Sequence, residues 1–200
     1  MRLIGMLDSP YVRRVAISLK TLGLPFQHEA VSVFRHFEHF QSINPVVKAP
    51  SFVTDDGTVL MDSTLILSHV EKVVGRSLMP TDASAHTKAL RQIGLALAAS
   101  DKSVSIVYER NQRPEEKRHQ PWMDRVGGQM LAAWRELEGE VSDGWFAGAS
   151  VIQPEITTAV AWRFVQHMLP EIVLAADFPK LAALSARAEQ TQAFRETTYG

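Results

Sequence analysis

The fold of this chain is decided by one stretch, Asn44-Pro-Val-Val-Lys-Ala-Pro50, Ser51-Phe-Val-Thr-Asp-Asp-Gly-Thr-Val-Leu-Met61 and Asp62-Ser63. Two short apolar runs with β-branched residues flank Asp56-Gly57, a dipeptide that favours the turn of a β-hairpin. Pro50 stands directly before the first run, where the backbone must pair, so we expect a cis Ala49–Pro50 peptide bond. Ser63 precedes an apolar-periodic segment and predicts a helix start. The stretch therefore predicts a loop, a hairpin and a helix in succession.

The beginning of the chain predicts a strand followed by a capped helix. Arg2-Leu-Ile-Gly-Met6 is a short apolar run, and Ser9-Pro10 comes soon after it. A serine at the N-cap accepts a hydrogen bond from a free backbone N–H, and proline suits the first helical position. Apolar residues then recur at helical spacing as far as Leu22, and Gly23 ends the helix.

The remaining patterns separate the chain into two parts. Strands are predicted at 2–7, 26–32, 51–54 and 58–61, and helices at 10–22, about 36–43 and 63–74. Turn-forming residues without periodicity fill 75–84, and later segments carry only helical patterns, at about 86–110, 115–141, 155–169, 177–188 and 191–196. We therefore predict an α/β domain of order βαβαββα over residues 1–75, a linker over 76–85 and an all-helical domain over 86–200.

Three motifs of the first domain resemble those of the soluble glutathione S-transferases. They are Ser-Pro-Tyr-Val-Arg-Arg-Val at 9–15, Ala49-Pro50 and Asp62-Ser63. The resemblance is to bacterial, serine-type members; it is strong over residues 1–74 and looser over the rest of the chain. It implies a thioredoxin-like N-terminal domain that binds glutathione as a cosubstrate. The helical domain is then expected to contribute a pocket for the electrophile.

The resemblance also implies roles for individual residues. Ser9 is expected to face the glutathione sulfur and to favour its thiolate. Ala49, before the cis Pro50, is expected to exchange backbone hydrogen bonds with the cysteinyl residue, as an added strand does. Ser63 with its backbone N–H is expected to bind the γ-glutamyl carboxylate at a helix N-terminus, and Asp62 the γ-glutamyl ammonium.

Other assignments remain open at this stage. Either Arg35 or Lys48 is expected to meet the glycyl carboxylate, although both also suit ordinary surface charges. Tyr11 and Tyr108 are candidates for the electrophile pocket, with core or interface packing as the competing interpretation. Asp101 is a candidate for a contact with ligand across a dimer.

Three further patterns have a purely structural interpretation. Ser9 and Asp62-Ser63 are also good helix N-caps by composition alone. His36 and His39 have the spacing of metal ligands on a helix, but no third ligand is apparent, so we expect no metal. Arg13-Arg14 is interpreted as part of a solvated helix face.

Two positions depart from the pattern of the resembling family. Val47 stands where a glycine is common, which predicts a slightly different loop backbone. Ile152 stands at the N-cap of a later helix, where Ser or Thr usually accepts a hydrogen bond.

Composition excludes several classes of function. The chain has no cysteine, so thiol–disulfide exchange through a protein sulfur is excluded and a reactive thiol must arrive with the ligand. The net charge of −1 and the absence of long basic runs argue against nucleic acid as a partner. No apolar run approaches the ~20 residues of a bilayer span, and no signal-peptide pattern begins the chain, so we expect no membrane partner and a cytoplasmic location.

The predicted function is conjugation of glutathione to a small hydrophobic electrophile, a detoxification chemistry, by a homodimer. One alternative is a non-catalytic module of the same fold that binds glutathione or another protein. A glutathione-dependent peroxidase or isomerase is a second alternative, since it would use the same site.

Overall fold

The computed structural model describes residues 1–145 and 151–199 of the chain. It divides into two compact units. The first comprises Met1–Leu78 together with the chain end from Gln190, and the second is Met79–Glu189. No helix of the described residues is both long enough and apolar enough to cross a membrane.

The first unit is a mixed four-stranded sheet with helices, in the predicted order βαβαββα. Its elements are β1 (Arg2–Ile4), α1 (Pro10–Leu22), β2 (Gln27–Glu29), α2 (Phe37–Ile43), β3 (Ser51–Val53), β4 (Val59–Met61) and α3 (Ser63–Val74). The strand order is β2-β1-β3-β4, with β1 parallel to β2 and the other neighbours antiparallel. The thioredoxin-like fold class is therefore confirmed, with strands shorter than predicted.

The two helices that matter for the site begin and end as the sequence predicts. Ser9 is the N-cap of α1, and Gly23 ends that helix in the left-handed conformation at φ 75°. Asp62 is the N-cap of α3, and Gly75 ends it at φ 68°. Each of these four residues caps or ends its helix through the backbone of the adjoining turn. The positions of both N-termini therefore follow from the sequence itself.

The hairpin forms, although its connection is wider than a two-residue turn. The β3–β4 ladder ends at the pair Val53 and Val59, so residues 54–58 make the connection. Gly57 has φ 86°, which suits glycine. The Asp56 carboxylate accepts hydrogen bonds from the Thr54 hydroxyl and the Thr58 backbone N–H, and these lower the pKa of Asp56 to about 2.

The second unit is entirely helical in the part that the structure describes. It contains α4 (Ala83–Gln112), α5 (Gln120–Glu140), α6 (Gln153–Met168) and α7 (Pro179–Ala188), with short 3-10 helices at Glu115–Lys117 and Ala175–Asp177. Trp162 packs edge-on against both Trp134 and Phe178, with ring centroids 5.2 and 5.6 Å apart. α6 begins after Ile152 without a side-chain capping bond, as predicted.

The end of the chain belongs with the first unit rather than with the helical one. The short helix α8 (Gln192–Arg195) packs against α1. The Arg13 Nε donates to the Thr197 carbonyl at 2.8 Å, and its guanidinium lies 5.2 Å from the centre of the Phe194 ring. The sequence-based division placed these residues in a domain over 86–200, because helical spacing identifies a helix without identifying its packing partner.

Candidate functional site

Ser9 lies at the positive end of the 13-residue helix α1. Its Oγ accepts a hydrogen bond from the Val12 backbone N–H at 3.4 Å. Among the described residues, no other hydrogen bond involves the Ser9 side chain. The hydroxyl accepts in that bond, so its own proton remains available to a ligand.

The loop that carries Ala49 lies against the end of β1 and the start of α1. Gly5, just after β1, has φ 140°, and a Cβ built there would lie 2.6 Å from Val12 Cγ2 and 3.3 Å from Ala49 Cβ. No side chain fits in that space, so glycine permits the close approach of α1 and the loop. The Ala49–Pro50 peptide bond is cis, as predicted.

Buried hydrogen bonds hold this loop in place. The buried Asn44 donates from Nδ2 to Ser51 Oγ at 2.8 Å, and Ser51 Oγ donates to the Lys48 carbonyl at 2.8 Å. Val47 has φ 52°, so it adopts the left-handed conformation that the common glycine would adopt more easily. The Asn44 side chain, for which the sequence predicts no role, thus supports the backbone on which Ala49 lies.

Asp62 presents one carboxylate oxygen to the helix and the other to the loop. Its Oδ1 accepts from the Thr64 and Leu65 backbone N–H groups at 2.9 and 3.4 Å. Its Oδ2 lies 4.0 Å from Lys48 Nζ, and both side chains are about half exposed. Asp62 also has φ 72°, a conformation that costs energy for a residue other than glycine. The structure therefore brings the Ala49 loop and the start of α3 together.

Arg14 is a site residue that sequence reasoning missed. It is only 3% exposed, and its Nη1 donates to Ser63 Oγ at 3.0 Å and to Thr64 Oγ1 at 3.1 Å. Burial disfavours its charged form and lowers the pKa of Arg14 to about 10, against the opposing effect of Asp62. The interpretation of Arg13-Arg14 as a solvated face is wrong, because both side chains are buried. The available signal for Arg14 was Ser9-Pro10, because these residues mark the start of α1 and thereby fix the position of Arg14 on that helix.

The remaining residues predicted for the site are not joined to the Ala49 loop or to the start of α3 by the contacts described above. Arg35 is exposed in the segment before α2. Tyr11 lies in the first turn of α1 and is partly buried. Tyr108 and Asp101 both lie on α4 in the second unit, where Tyr108 is 45% exposed and Asp101 forms an ion pair with Lys102. Over residues 1–145 and 151–199, no group of three or more metal-ligating side chains is close enough to hold an ion.

Comparison with known proteins identifies the fold and the domain. Residues 3–77 match the family model described as the glutathione S-transferase N-terminal domain. An uncharacterized GST-like protein of Escherichia coli K12, YibF, is 24% identical over 198 residues, covering 98% of each chain.

Two solved bacterial structures are similar to this chain over nearly its whole length. A glutathione S-transferase of Methylobacterium radiotolerans, in complex with glutathione sulfonate, has a TM-score of 0.89 and 28% identity, covering 98% of this chain and 93% of that one. A glutathione transferase family member of Pseudomonas fluorescens Pf-5, with bound glutathione, has a TM-score of 0.86 and 28% identity, covering 100% and 98%. The chain thus shares the glutathione S-transferase fold with these two proteins, and its residues 3–77 are similar to the N-terminal domain of that family.

Proposed function

We propose that this protein binds glutathione in its first unit and activates the thiol for conjugation to a small hydrophobic electrophile. One observation carries the proposal: Ser9, the cis Ala49–Pro50 edge and Asp62-Ser63 lie on elements packed within a single unit. Glutathione bound in a similar solved protein supports the choice of ligand.

Glutathione would lie extended along the Ala49 backbone. Its γ-glutamyl carboxylate would accept hydrogen bonds at the N-terminus of α3 from Ser63 and the backbone N–H, and Asp62 would meet the ammonium. Lys48 is the better candidate for the glycyl carboxylate, because it is adjacent to Ala49 and its contact with Asp62 is long and exposed. Arg35 lies in a different segment and is the alternative.

Activation of the thiol would depend on Ser9 and on α1. A free thiol has a pKa of about 8.5 and is mostly protonated at neutral pH. The Ser9 proton and the positive end of α1 would both stabilise a thiolate held next to them. The chain has no cysteine, so the ligand supplies the nucleophile and the protein supplies its position and its ionisation state.

Calorimetric titration with glutathione, followed by conjugation assays with a panel of electrophiles and hydroperoxides, tests the proposal. Binding with conjugation is the expected result. Binding without turnover would favour a non-catalytic module, turnover of hydroperoxides alone would favour a peroxidase, and no binding would overturn the proposal.

A matched pair of variants tests the site for the glycyl carboxylate. Lys48→Ala should weaken glutathione binding several-fold and leave γ-glutamylcysteine, which lacks the glycine, unaffected. Arg35→Ala removes a comparable exposed cation and should change neither affinity. The reverse result would assign the glycyl carboxylate to Arg35.

A further inference from the structure

The contact between Arg14 and Ser63 fixes the direction of a hydrogen bond. An arginine side chain has donors and no acceptor, so Ser63 Oγ must accept from Arg14 Nη1 over their 3.0 Å separation. The hydroxyl proton of Ser63 then points away from the guanidinium. A serine hydroxyl that is otherwise free to rotate is thereby prepared to donate to an acceptor in front of it.

The same contact connects the two helices of the candidate site. Arg14 lies on α1, whose N-cap is Ser9, and it donates to Ser63 and Thr64 on the first turn of α3. A buried cation is costly unless charged or polar groups compensate it, and Asp62 and Glu71 act on Arg14 in this sense. An anion at the start of α3 would add to that compensation.

We propose that Arg14 is a positioning residue that directs the Ser63 hydroxyl toward a bound carboxylate and places a positive charge behind it. The carboxylate is that of the γ-glutamyl group, so this inference rests on the proposed binding of glutathione. Arg14 acts through Ser63. Its contribution is to make binding selective for a ligand that carries an anionic group at this end.

The neighbouring residue provides a matched control. Arg13 is also buried on α1, but it donates to the Thr197 carbonyl and lies over the Phe194 ring. Both arginines therefore contribute a buried cation to the same helix, and only Arg14 donates to Ser63 in the contacts described above.

The experiment compares two ligands by calorimetry. The first is glutathione, and the second is its analogue in which 4-aminobutyryl replaces γ-glutamyl, so that the ammonium is kept and the carboxylate is lost. Arg14→Gln should reduce the preference for glutathione over the analogue by about tenfold, the effect of a lost charge-assisted hydrogen bond. Arg13→Gln should leave the preference unchanged. In a Ser63→Ala background, Arg14→Gln should have a clearly smaller effect.

Each outcome decides between the claims. If the unmodified protein does not bind glutathione, the proposed function fails. If it binds and Arg14→Gln keeps the full preference, or Arg13→Gln lowers it equally, the role of Arg14 is refuted while the function stands. If Arg14→Gln does not fold, Arg14→Met replaces it, because a methionine of similar shape supplies neither a positive charge nor an N–H donor to Ser63 and Thr64. An undiminished preference in Arg14→Met then refutes the role.

Discussion

Replacing Ser9 with alanine distinguishes the helix-capping role of this side chain from its catalytic role, because the two roles predict different changes in stability and in the pKa of the bound thiol. The capping bond from the Val12 N–H is 3.4 Å long, beyond the usual range, so we expect its loss to cost about 0.5–1 kcal/mol of stability. If the hydroxyl also stabilises the thiolate, the pKa of the bound thiol should rise by one to two units, roughly 1.4–2.7 kcal/mol. Glutathione affinity should change little, because other residues hold the two ends of the peptide.

The assay is an ultraviolet titration of thiolate absorbance in the binary complex, run beside thermal melts. Turnover near neutral pH should fall on the order of ten- to a hundredfold and recover in part at high pH, where the thiol ionises without help. Ser9→Thr keeps a hydroxyl at the N-cap and serves as the control. An unchanged titration curve in Ser9→Ala, with only a lower melting temperature, would refute the catalytic role and leave Ser9 as a helix cap.

Three further predictions follow from the site and its surroundings. Gly5→Ala should lower the free energy of unfolding in urea by about 1–3 kcal/mol, since the new methyl would lie 2.6 Å from Val12 Cγ2; Gly94→Ala, with nothing within 4 Å of its Cβ, is the control and should not destabilise. Asp62→Ala should weaken glutathione binding by about 1–3 kcal/mol in calorimetry but a des-amino analogue much less, and an equal loss for both would leave Asp62 as a cap only. The protein should be a two-fold dimer by light scattering, and Leu65→Glu, at a side chain that is 65% exposed in one chain, should dissociate it; a monomer at micromolar concentration in the unmodified protein would contradict this.

The elements that the sequence predicted correctly are those with local causes. Ser9 before Pro10 and Asp62 before Ser63 begin α1 and α3, because each cap satisfies backbone groups within its own helix turn. Short apolar runs with β-branched residues on either side of Asp56-Gly57 predicted the hairpin, and the position of Pro50 before a paired strand predicted the cis bond. The missing cap at Ile152 was also predicted correctly, since it depends on the side chain of that one residue.

The site residues are only partly settled by these local causes. Ser9, Lys48, Ala49 and Asp62 lie on elements of one unit, as the resemblance implies, but their roles toward glutathione stay predictions. Tyr108 and the suggested dimer contact of Asp101 lie on α4, and they too stay predictions. Contacts with a ligand depend on where side chains from separate elements lie in space, and the spacing of residues along the sequence does not give those positions.

Tertiary structure alone decided which partners the buried polar groups have. Helical periodicity placed Arg13 and Arg14 on α1, but their burial required a carbonyl from residue 197 and hydroxyls from α3, both far away in sequence. Asn44 acquired its role in the same way, from a hydrogen bond to Ser51 across a folded loop. A polar side chain enters a protein interior only where distant groups satisfy it, so its position follows from the assembled fold and not from its neighbours in the chain.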